Sequence, residues 1–310
     1  AVRSGRFGAA WMRVVVDLNG PFAIRSATLD RARSVLEVML EPVSPAVFRT
    51  LSGAPRAARG LAEVRQTLPK EPGDGRLRVM LDPGHGGIDP GAEAGGLREA
   101  DLALTFAGEL RGVLEEAGYH VAMTREDDRY VPLRTRVSLA RGFRADVLVS
   151  LHADALPPNS GNASGATVYT LSEEASDRAS ERLAARHDRA DLLAGADLSG
   201  QGDDIAGVLM DLARRETAPR AENLAEAIVT HLREATGHVN PRPHRRAAFA
   251  VLKAPDIPSV LVELGFLSSK ADRARLEDPQ WRLQAARALG AAISAWDGPE
   301  ARAARLEFSE

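Results

Sequence analysis

The sequence predicts an α/β protein with a central, mostly parallel sheet, helices on both faces of that sheet, and a small β fragment at the N-terminus. Two observations predict the sheet. Short apolar runs alternate with segments of helical periodicity from Leu77 onward. The run from Ala145 to Asp154 is apolar over most of its length, which is typical of a central strand buried on both faces. A third observation separates the N-terminus, where short Val- and Leu-rich runs occur without that alternation.

The chain is expected to divide into four parts. Residues 1–50 contain the runs Met12 to Leu18 and Ser34 to Leu40, separated by turn residues, and predict a small and incomplete β domain. Residues 51–76 are rich in Ala, Arg, Gly and Pro and predict a linker. Residues 77–297 form the α/β domain, and the polar residues 298–310 form a tail.

Within the α/β domain, the apolar spacing predicts an ordered series of elements. The expected strands are 77–82, 119–125, 145–154, 165–172, 249–253 and 258–266. The expected helices are 101–117, which Gly118 ends, and then 133–143, 174–186, 204–214, 220–235 and 281–296.

Composition excludes several classes of protein. The chain has 310 residues, a formal net charge of -3 and no cysteine. Thiolate metal sites and disulfides are therefore excluded, so that a metal would be held by His and carboxylates. The charge does not indicate nucleic acid as a partner, because nucleic-acid binding usually requires a basic surface. The sequence contains no run of about 18 apolar residues, so it predicts no transmembrane segment.

Four residues that suit metal-assisted chemistry lie where strands or helices end. His85 follows the first strand of the α/β domain, His152 ends a central strand, Glu263 lies near the end of another, and Glu99 opens a helix. Ligands of open α/β sheets bind beyond the carboxyl ends of the strands, so we expect these residues to converge. Two His and one carboxylate can hold a catalytic zinc ion, and a further carboxylate can act as the base of amide hydrolysis.

Each of these residues also has a structural alternative. A His in a Gly-rich loop or at a strand end can be a turn or rim residue, and Glu99 can be an acid that complements the helix dipole. Glu263 differs, because an acid within an apolar run is costly to bury unless it has a role. Imidazole ligands also suit divalent ions other than zinc.

Several segments together resemble the zinc-dependent N-acetylmuramoyl-L-alanine amidases of the amidase 3 family. The matching segments include LDPGHGGIDPGA, SLHADA and VELGF, which occur in the family's order. The resemblance implies that His85, Glu99 and His152 bind Zn2+ and that Glu263 is the catalytic residue. It also implies cleavage between the muramic acid lactyl group and L-alanine of peptidoglycan, in the periplasm or cell wall, often during daughter-cell separation.

An inserted segment of about 173–218 lengthens a crossover that is short in the smaller members of the family. By resemblance to the division amidases, this insert is expected to act as a lid that an activator protein with a LytM-like domain relieves. The candidates for filling the metal's open position are His187, Glu173, Glu174 and Glu181. The N-terminal fragment resembles the latter part of an AMIN domain, a domain that helps to place such enzymes in the envelope.

Two other functions compete with this interpretation. A zinc peptidase or deacetylase can use the same ligands, but the HExxH helix of many zinc peptidases is absent. A non-catalytic wall-binding module of the same fold would be expected to lack Glu263, which is present. Arg134 and Arg136 are expected to support either the substrate or a loop.

Overall fold

The computed structural model describes residues 2–6, 12–16, 19–30, 35–44, 75–155, 163–172, 174–193 and 204–298. The chain divides into two compact units, Ala1–Ala62 and Glu63–Glu310. The expected linker and tail lie largely outside the described residues, as do residues 194–203 of the insert.

The first unit contains two antiparallel pairs of strands. Strand β1 (Val2–Arg6) pairs with β2 (Met12–Val16), and β3 (Phe22–Asp30) pairs with β4 (Val35–Pro42). The β character expected for this region is therefore present, in more strands than the apolar runs alone predict. Its assignment to the AMIN family stays a prediction.

The second unit is built on a six-stranded sheet in the order β11-β10-β12-β9-β5-β8. Its strands are β5 (Arg78–Pro83), β8 (His120–Met123), β9 (Val147–His152), β10 (Ala166–Leu171), β11 (Val239–Ala247) and β12 (Ser259–Glu263). All neighbours are parallel except β10 and β12, which confirms the predicted mostly parallel sheet. Two short strands, β6 (Glu93–Ala94) and β7 (Leu97–Arg98), form a separate hairpin.

Six helices accompany the strands in the described part of the chain. They are α1 (Glu99–Glu116), α2 (Leu133–Gly142), α3 (Arg178–Leu193), α4 (Asp204–Thr236), α5 (Lys270–Glu277) and α6 (Pro279–Trp296). None of the helices in that part of the chain combines the length and the apolar character that a membrane span requires.

The alternation of side chains along each strand assigns the helices to the two faces of the sheet. Val79 and Leu81 of β5 belong to the main apolar core, together with buried side chains of α1, α4 and α6. Asp82 points to the opposite face, where it pairs with Arg136 of α2. The sheet is therefore covered on both sides, as predicted.

Three local predictions are wrong. Phe249–Lys253 is not a strand but contains a short 3-10 helix (Ala250–Leu252). The sequence analysis does not predict strand β11; its residues Pro241 and Pro243 are tolerated because β11 is an edge strand. The two helices predicted over 204–214 and 220–235 are one helix, α4, with Pro219 inside it. A proline in a helix removes one hydrogen bond but does not always end the helix.

Candidate functional site

The four residues selected from the sequence lie at one rim of the six-stranded sheet. His152 and Glu263 are the last residues of the adjacent strands β9 and β12 and are partners in the parallel register. His85 lies two residues beyond β5, and Glu99 is the first residue of α1. All four meet at this rim because three parallel strands end there and α1 begins beside them.

The side chains of His85, Glu99 and His152 are in direct contact. Glu99 Oε1 lies 2.9 Å from His152 Nδ1 and 3.1 Å from His85 Nε2. His187 of α3 completes a group of four, hereafter the histidine cluster (His85, Glu99, His152 and His187). One ligand atom from each member lies within 4.8 Å of those of the others. Among the described residues, this is the group of His and carboxylates with metal-ligand spacing.

Several polar atoms in and beside the histidine cluster are buried without a hydrogen bond. Within the described residues, these include His85 Nε2, His187 Nε2 and Glu263 Oε1. His85 Nε2 is close to Glu99, but the two are not aligned for a hydrogen bond. Buried polar atoms are rarely left unpaired. Imidazole nitrogens and a carboxylate oxygen that converge in this way fit a divalent metal such as zinc.

The charge balance of the cluster also favours a cation. Burial opposes the protonation of His85, but the carboxylates of Glu99 and Asp89 outweigh it and raise the pKa of His85 to about 10. Burial alone would raise the pKa of Glu99, yet His85 and His152 lower it well below its usual range. A buried carboxylate that remains ionised needs a positive partner, which can be a proton on His85 or a metal ion.

Glu263 and His187 are shifted towards their neutral forms. Burial, followed by the nearby carboxylates of Glu99 and Asp154, raises the pKa of Glu263 well above its ordinary value. Burial, followed by the neighbouring ring of His152, lowers the pKa of His187 well below its ordinary value. A neutral imidazole is the form that binds metals, and a carboxyl group with a raised pKa suits general acid–base chemistry.

The backbone around the cluster leaves little free space. His85 has a φ of 58°, in the left-handed region that residues other than glycine rarely adopt. A Cβ atom at Gly84 would overlap the ring of His152, and one at Gly91 would lie 2.7 Å from Glu99 Oε2. The glycines of the DPGHGGIDPGA segment therefore allow the backbone to pass close to the ligand atoms.

Helix α3 covers the cluster. Its buried positions Ser180, Leu183, Ala184 and His187 follow helical spacing, so His187 faces inward. The ring centroid of His187 lies 4.3 Å from that of His152 and 5.3 Å from that of His85.

The neighbouring Arg186 fixes the middle of α3 to the loop that follows β9. Arg186 Nη1 donates to the carbonyl of Ala155 at 2.8 Å, and Nη2 pairs with the carboxylate of Asp154. Of the other candidates on the insert, Glu174 and Glu181 are exposed, whereas Glu173 lies outside the described residues.

The cavity between α3 and the cluster is small. It measures about 20 Å3 and is lined by residues that include His85, His152, His187 and Phe249. That volume accommodates about one water molecule.

Three residues near the cluster were not selected from the sequence. Asp89 Oδ2 lies 2.7 Å from His85 Nδ1, and Asp154 accepts the bond from Arg186. Asp89 and Asp154 follow His85 and His152 closely in the chain, which is a signal that could have suggested them. Arg186 carries no such signal, because only the docking of α3 brings it to the site.

The sequence of this chain is similar to those of known amidases. Residues 79–295 match the Amidase_3 family, described as N-acetylmuramoyl-L-alanine amidase. N-acetylmuramoyl-L-alanine amidase AmiC of Neisseria meningitidis serogroup B is 34% identical over 314 residues, covering 94% of this chain and 73% of the relative. The AmiC of Escherichia coli O6:H1 is 36% identical over 239 residues, covering 75% of this chain and 55% of the relative.

Solved structures also match most of this chain. N-acetylmuramoyl-L-alanine amidase AmiC2 of Nostoc punctiforme is 28% identical, with a TM-score of 0.53, and the match covers 72% of this chain and 98% of that one. The amidase of Clostridium difficile 630 is 23% identical with a TM-score of 0.55, covers 72% of this chain and 97% of that one, and supports the fold alone.

Proposed function

The chain belongs to the N-acetylmuramoyl-L-alanine amidase family, and we propose that it hydrolyses the amide bond between the muramic acid lactyl group and L-alanine of peptidoglycan with a bound zinc ion. One observation carries the proposal. His85, Glu99 and His152 approach one point from three separate segments, with Glu263 beside them. Two His, one carboxylate and a further carboxylate are the residues that zinc-dependent amide hydrolysis requires.

We assign His85, Glu99 and His152 as the zinc ligands. Zinc bound there would lower the pKa of a water molecule and polarise the substrate carbonyl. Asp89 orients the ring of His85 by its contact with Nδ1, which leaves Nε2 facing the cluster. Glu99 Oε1 lies within hydrogen-bond distance of His152 Nδ1 and accepts a hydrogen bond from the backbone N–H of Ala153. These contacts fix the carboxylate at the start of α1.

We assign Glu263 as the general base. Its Oε2 accepts a hydrogen bond from the backbone N–H of Asp154 at 2.9 Å, so the carboxylate has a fixed orientation. Its Oε1 has no hydrogen-bond partner among the described residues and can take a proton from the attacking water. The same group then returns that proton to the L-alanine nitrogen as the amide bond breaks.

The test replaces Glu263 with Gln, which keeps the size of the side chain but cannot accept the proton. We expect kcat to fall by roughly 10²–10⁴ while zinc content is unchanged. Zinc is measured by metal analysis, and activity by mass spectrometry of released stem peptides with a free L-alanine N-terminus. A peptidase would instead cut within the stem peptide, which separates that alternative.

The matched control is Glu116→Gln, an exposed residue at the end of α1. We expect this variant to keep full activity. Near-full activity of Glu263→Gln would contradict the assignment of the base, and retention of zinc after loss of both His85 and His152 would contradict the assignment of the ligands.

We further propose that α3 inhibits the enzyme by occupying the substrate's place, with His187 in the open position of the metal. Two features support this: the small cavity under α3 and the unpaired Nε2 of His187, which faces the cluster. A side chain tethered to the same chain competes well with substrate, because its effective concentration is high.

Deletion of residues 175–188 tests this inhibition. We expect basal hydrolysis of peptidoglycan to rise at least several-fold, and His187→Ala to give part of that rise. Arg182→Ala, an exposed residue of α3, is the control. A deletion variant that folds, binds zinc and hydrolyses no faster than the full chain would contradict the proposal.

The sequence resemblance supports three further parts of the proposal: action in the periplasm during daughter-cell separation, placement by an AMIN-like first unit, and activation by a LytM-domain protein. Adding such a protein to the purified chain is expected to stimulate hydrolysis by the full chain. It is expected to have little effect on the variant lacking residues 175–188, in which no inhibition remains to be relieved.

A further inference from the structure

The loop that carries His85 has an unusual backbone that needs support. His85 adopts a φ of 58°, and the following Gly86 and Gly87 also have positive φ values, 118° and 62°. The loop lies beyond the end of β5, so the carbonyl groups of Gly84 and His85 are outside the sheet's hydrogen-bond ladder. Other groups must therefore bind these carbonyls where they are buried.

Arg136 of α2 binds two carbonyls of this loop region. Its Nη1 donates to Asp82 Oδ1 at 2.6 Å and to the Pro83 carbonyl at 2.7 Å. Its Nη2 donates to the carbonyl of His85 itself at 2.8 Å. The side chain is 2% exposed, and its bonds to Asp82 and to the Pro83 carbonyl are buried. The guanidinium thus joins the end of β5 to the peptide group of His85.

Arg125, which follows β8, binds the same loop from another side. Its Nε donates to the Pro83 carbonyl at 3.0 Å. Its Nη2 donates both to the carbonyl of Gly84 at 2.7 Å and to that of Ala100 at 2.8 Å. Because Ala100 follows Glu99, this single nitrogen connects the His85 loop with the first turn of α1.

A contribution to folding stability alone does not explain why two guanidinium groups are buried beside the loop of His85. Buried ion pairs contribute little net stability, and well-packed apolar side chains can replace them. The planar fork of arginine supplies several directed donors at fixed spacing, which an apolar residue or a lysine cannot reproduce. Asp82, buried between these groups, also accepts bonds from Thr124 and Ser150, so its carboxylate is held firmly in place.

We propose that Arg136 and Arg125 are positioning residues that fix His85 relative to Glu99 for binding of the metal. The inference rests on the proposed zinc site and deepens it, because it explains how the ligand-bearing segments keep their spacing. Within the part of the chain that the structure describes, the hydrogen bonds from both arginines to the loop go to its backbone carbonyls and not to the ligand side chains. A loss of this support is expected to weaken metal binding before it unfolds the protein.

The test measures the zinc dissociation constant of the full chain by competition with a chromogenic chelator, alongside thermal unfolding. Arg136→Lys keeps a positive charge near Asp82 but loses the fork. We expect its zinc dissociation constant to rise about tenfold or more, as for other residues that support metal ligands. Its unfolding temperature is expected to fall by several degrees, because buried carbonyls lose a donor, while the variant stays folded at the temperature of the zinc assay.

Two reference variants make the result decisive. Arg134→Lys changes an exposed arginine on the same helix and is expected to leave zinc binding unchanged. His85→Ala removes a ligand and is expected to weaken binding far more. If His85→Ala binds zinc normally, the proposed metal site itself is wrong, and the inference with it.

A second outcome would contradict the positioning role alone. In that outcome His85→Ala weakens zinc binding, but a folded Arg136→Lys has a zinc dissociation constant within about threefold of the wild type. That change is smaller than the usual effect of residues that support metal ligands. Should Arg136→Lys fail to fold, the same comparison on Arg125→Lys decides the question.

Discussion

At the scale of single residues, the packing around His152 determines which side chain position 84 accepts. A Cβ atom there would overlap the imidazole, so Gly84→Ala must displace either the loop or the ring. A displacement of about 1 Å in a catalytic site can cost roughly 100-fold in rate. We therefore expect Gly84→Ala to lose about that much amidase activity and to bind zinc more weakly.

Gly112 of α1 provides the control for this substitution. A Cβ atom at Gly112 meets nothing within 4 Å, and alanine favours helix. Gly112→Ala should therefore keep full activity and gain up to about 1 kcal/mol of stability. Both variants are assayed for peptide release and for zinc content; equal activities would refute the steric argument.

The buried carboxylate of Asp272 links stability to pH. Burial opposes its ionisation, but hydrogen bonds from Ser164, His238 and the backbone N–H of Phe266 lower the pKa of Asp272 below its ordinary value of 3.8. Because the pKa of Asp272 is depressed in the folded state, its ionised carboxylate contributes its full stabilisation at pH values above the ordinary pKa. That stabilisation is lost as the pH falls from there through the folded-state pKa.

Asp272→Asn tests this relation. We expect the variant to be less stable than the wild type at pH 6 and to lose less stability on acidification below pH 3.8. Urea unfolding across this range gives the comparison, and Asp127→Asn, an exposed site, is the control. Parallel stability curves for wild type and Asp272→Asn would contradict the pKa assignment.

At the scale of elements, α3 is held over the cluster by its buried face and by a polar anchor. Its anchor is Arg186, which binds Asp154 and the Ala155 carbonyl. Arg186→Met keeps much of the apolar length of the side chain but removes both bonds. If α3 inhibits the enzyme, lowering the free energy that favours its closed position by about 1 kcal/mol should raise basal hydrolysis roughly fivefold. Arg182→Met, exposed on the same helix, should not change it.

The discriminating measurement for α3 is the ratio of activities with and without the helix. The variant lacking residues 175–188 gives the upper limit of activation, and Arg186→Met should not exceed it. A folded Arg186→Met variant with unchanged basal activity, beside an activated deletion variant, would show that the helix closes without this anchor.

At the scale of the whole molecule, the core of the amidase-family region is complete within the second unit. Among the described residues, every member of the main apolar core lies between Leu77 and Ile293. We therefore expect a chain that begins at residue 63 to fold and to bind zinc as the full chain does. Its unfolding temperature should stay within about 2–4 °C, the shift that about 1 kcal/mol produces in a domain of this size.

Activity on two substrates separates the roles of the units. On a soluble muropeptide, the chain that begins at residue 63 should match the full chain. On intact peptidoglycan, any loss would be assigned to binding by the first unit. A large fall in unfolding temperature or in zinc affinity would contradict the independence of the second unit.

The sequence by itself determined the fold class and the main chemistry-bearing positions. Apolar runs of strand length and helical spacing are local signals, and they predicted the sheet and most of its helices. Parallel strands end at one edge, so His85, His152 and Glu263 could be expected to meet before any coordinates were known. The short apolar run at Phe249 misled because burial, not strand pairing, accounts for its composition.

Only the tertiary structure decided which long-range contacts complete the site. Arg136 is buried against the loop of His85, whereas Arg134 on the same helix is exposed, and their sequence context does not distinguish them. His187 enters the cluster because α3 packs with Leu183 and Ala184 inward, and Arg186 then reaches Asp154. Such contacts join segments far apart in the chain, and their geometry depends on packing that no local pattern encodes.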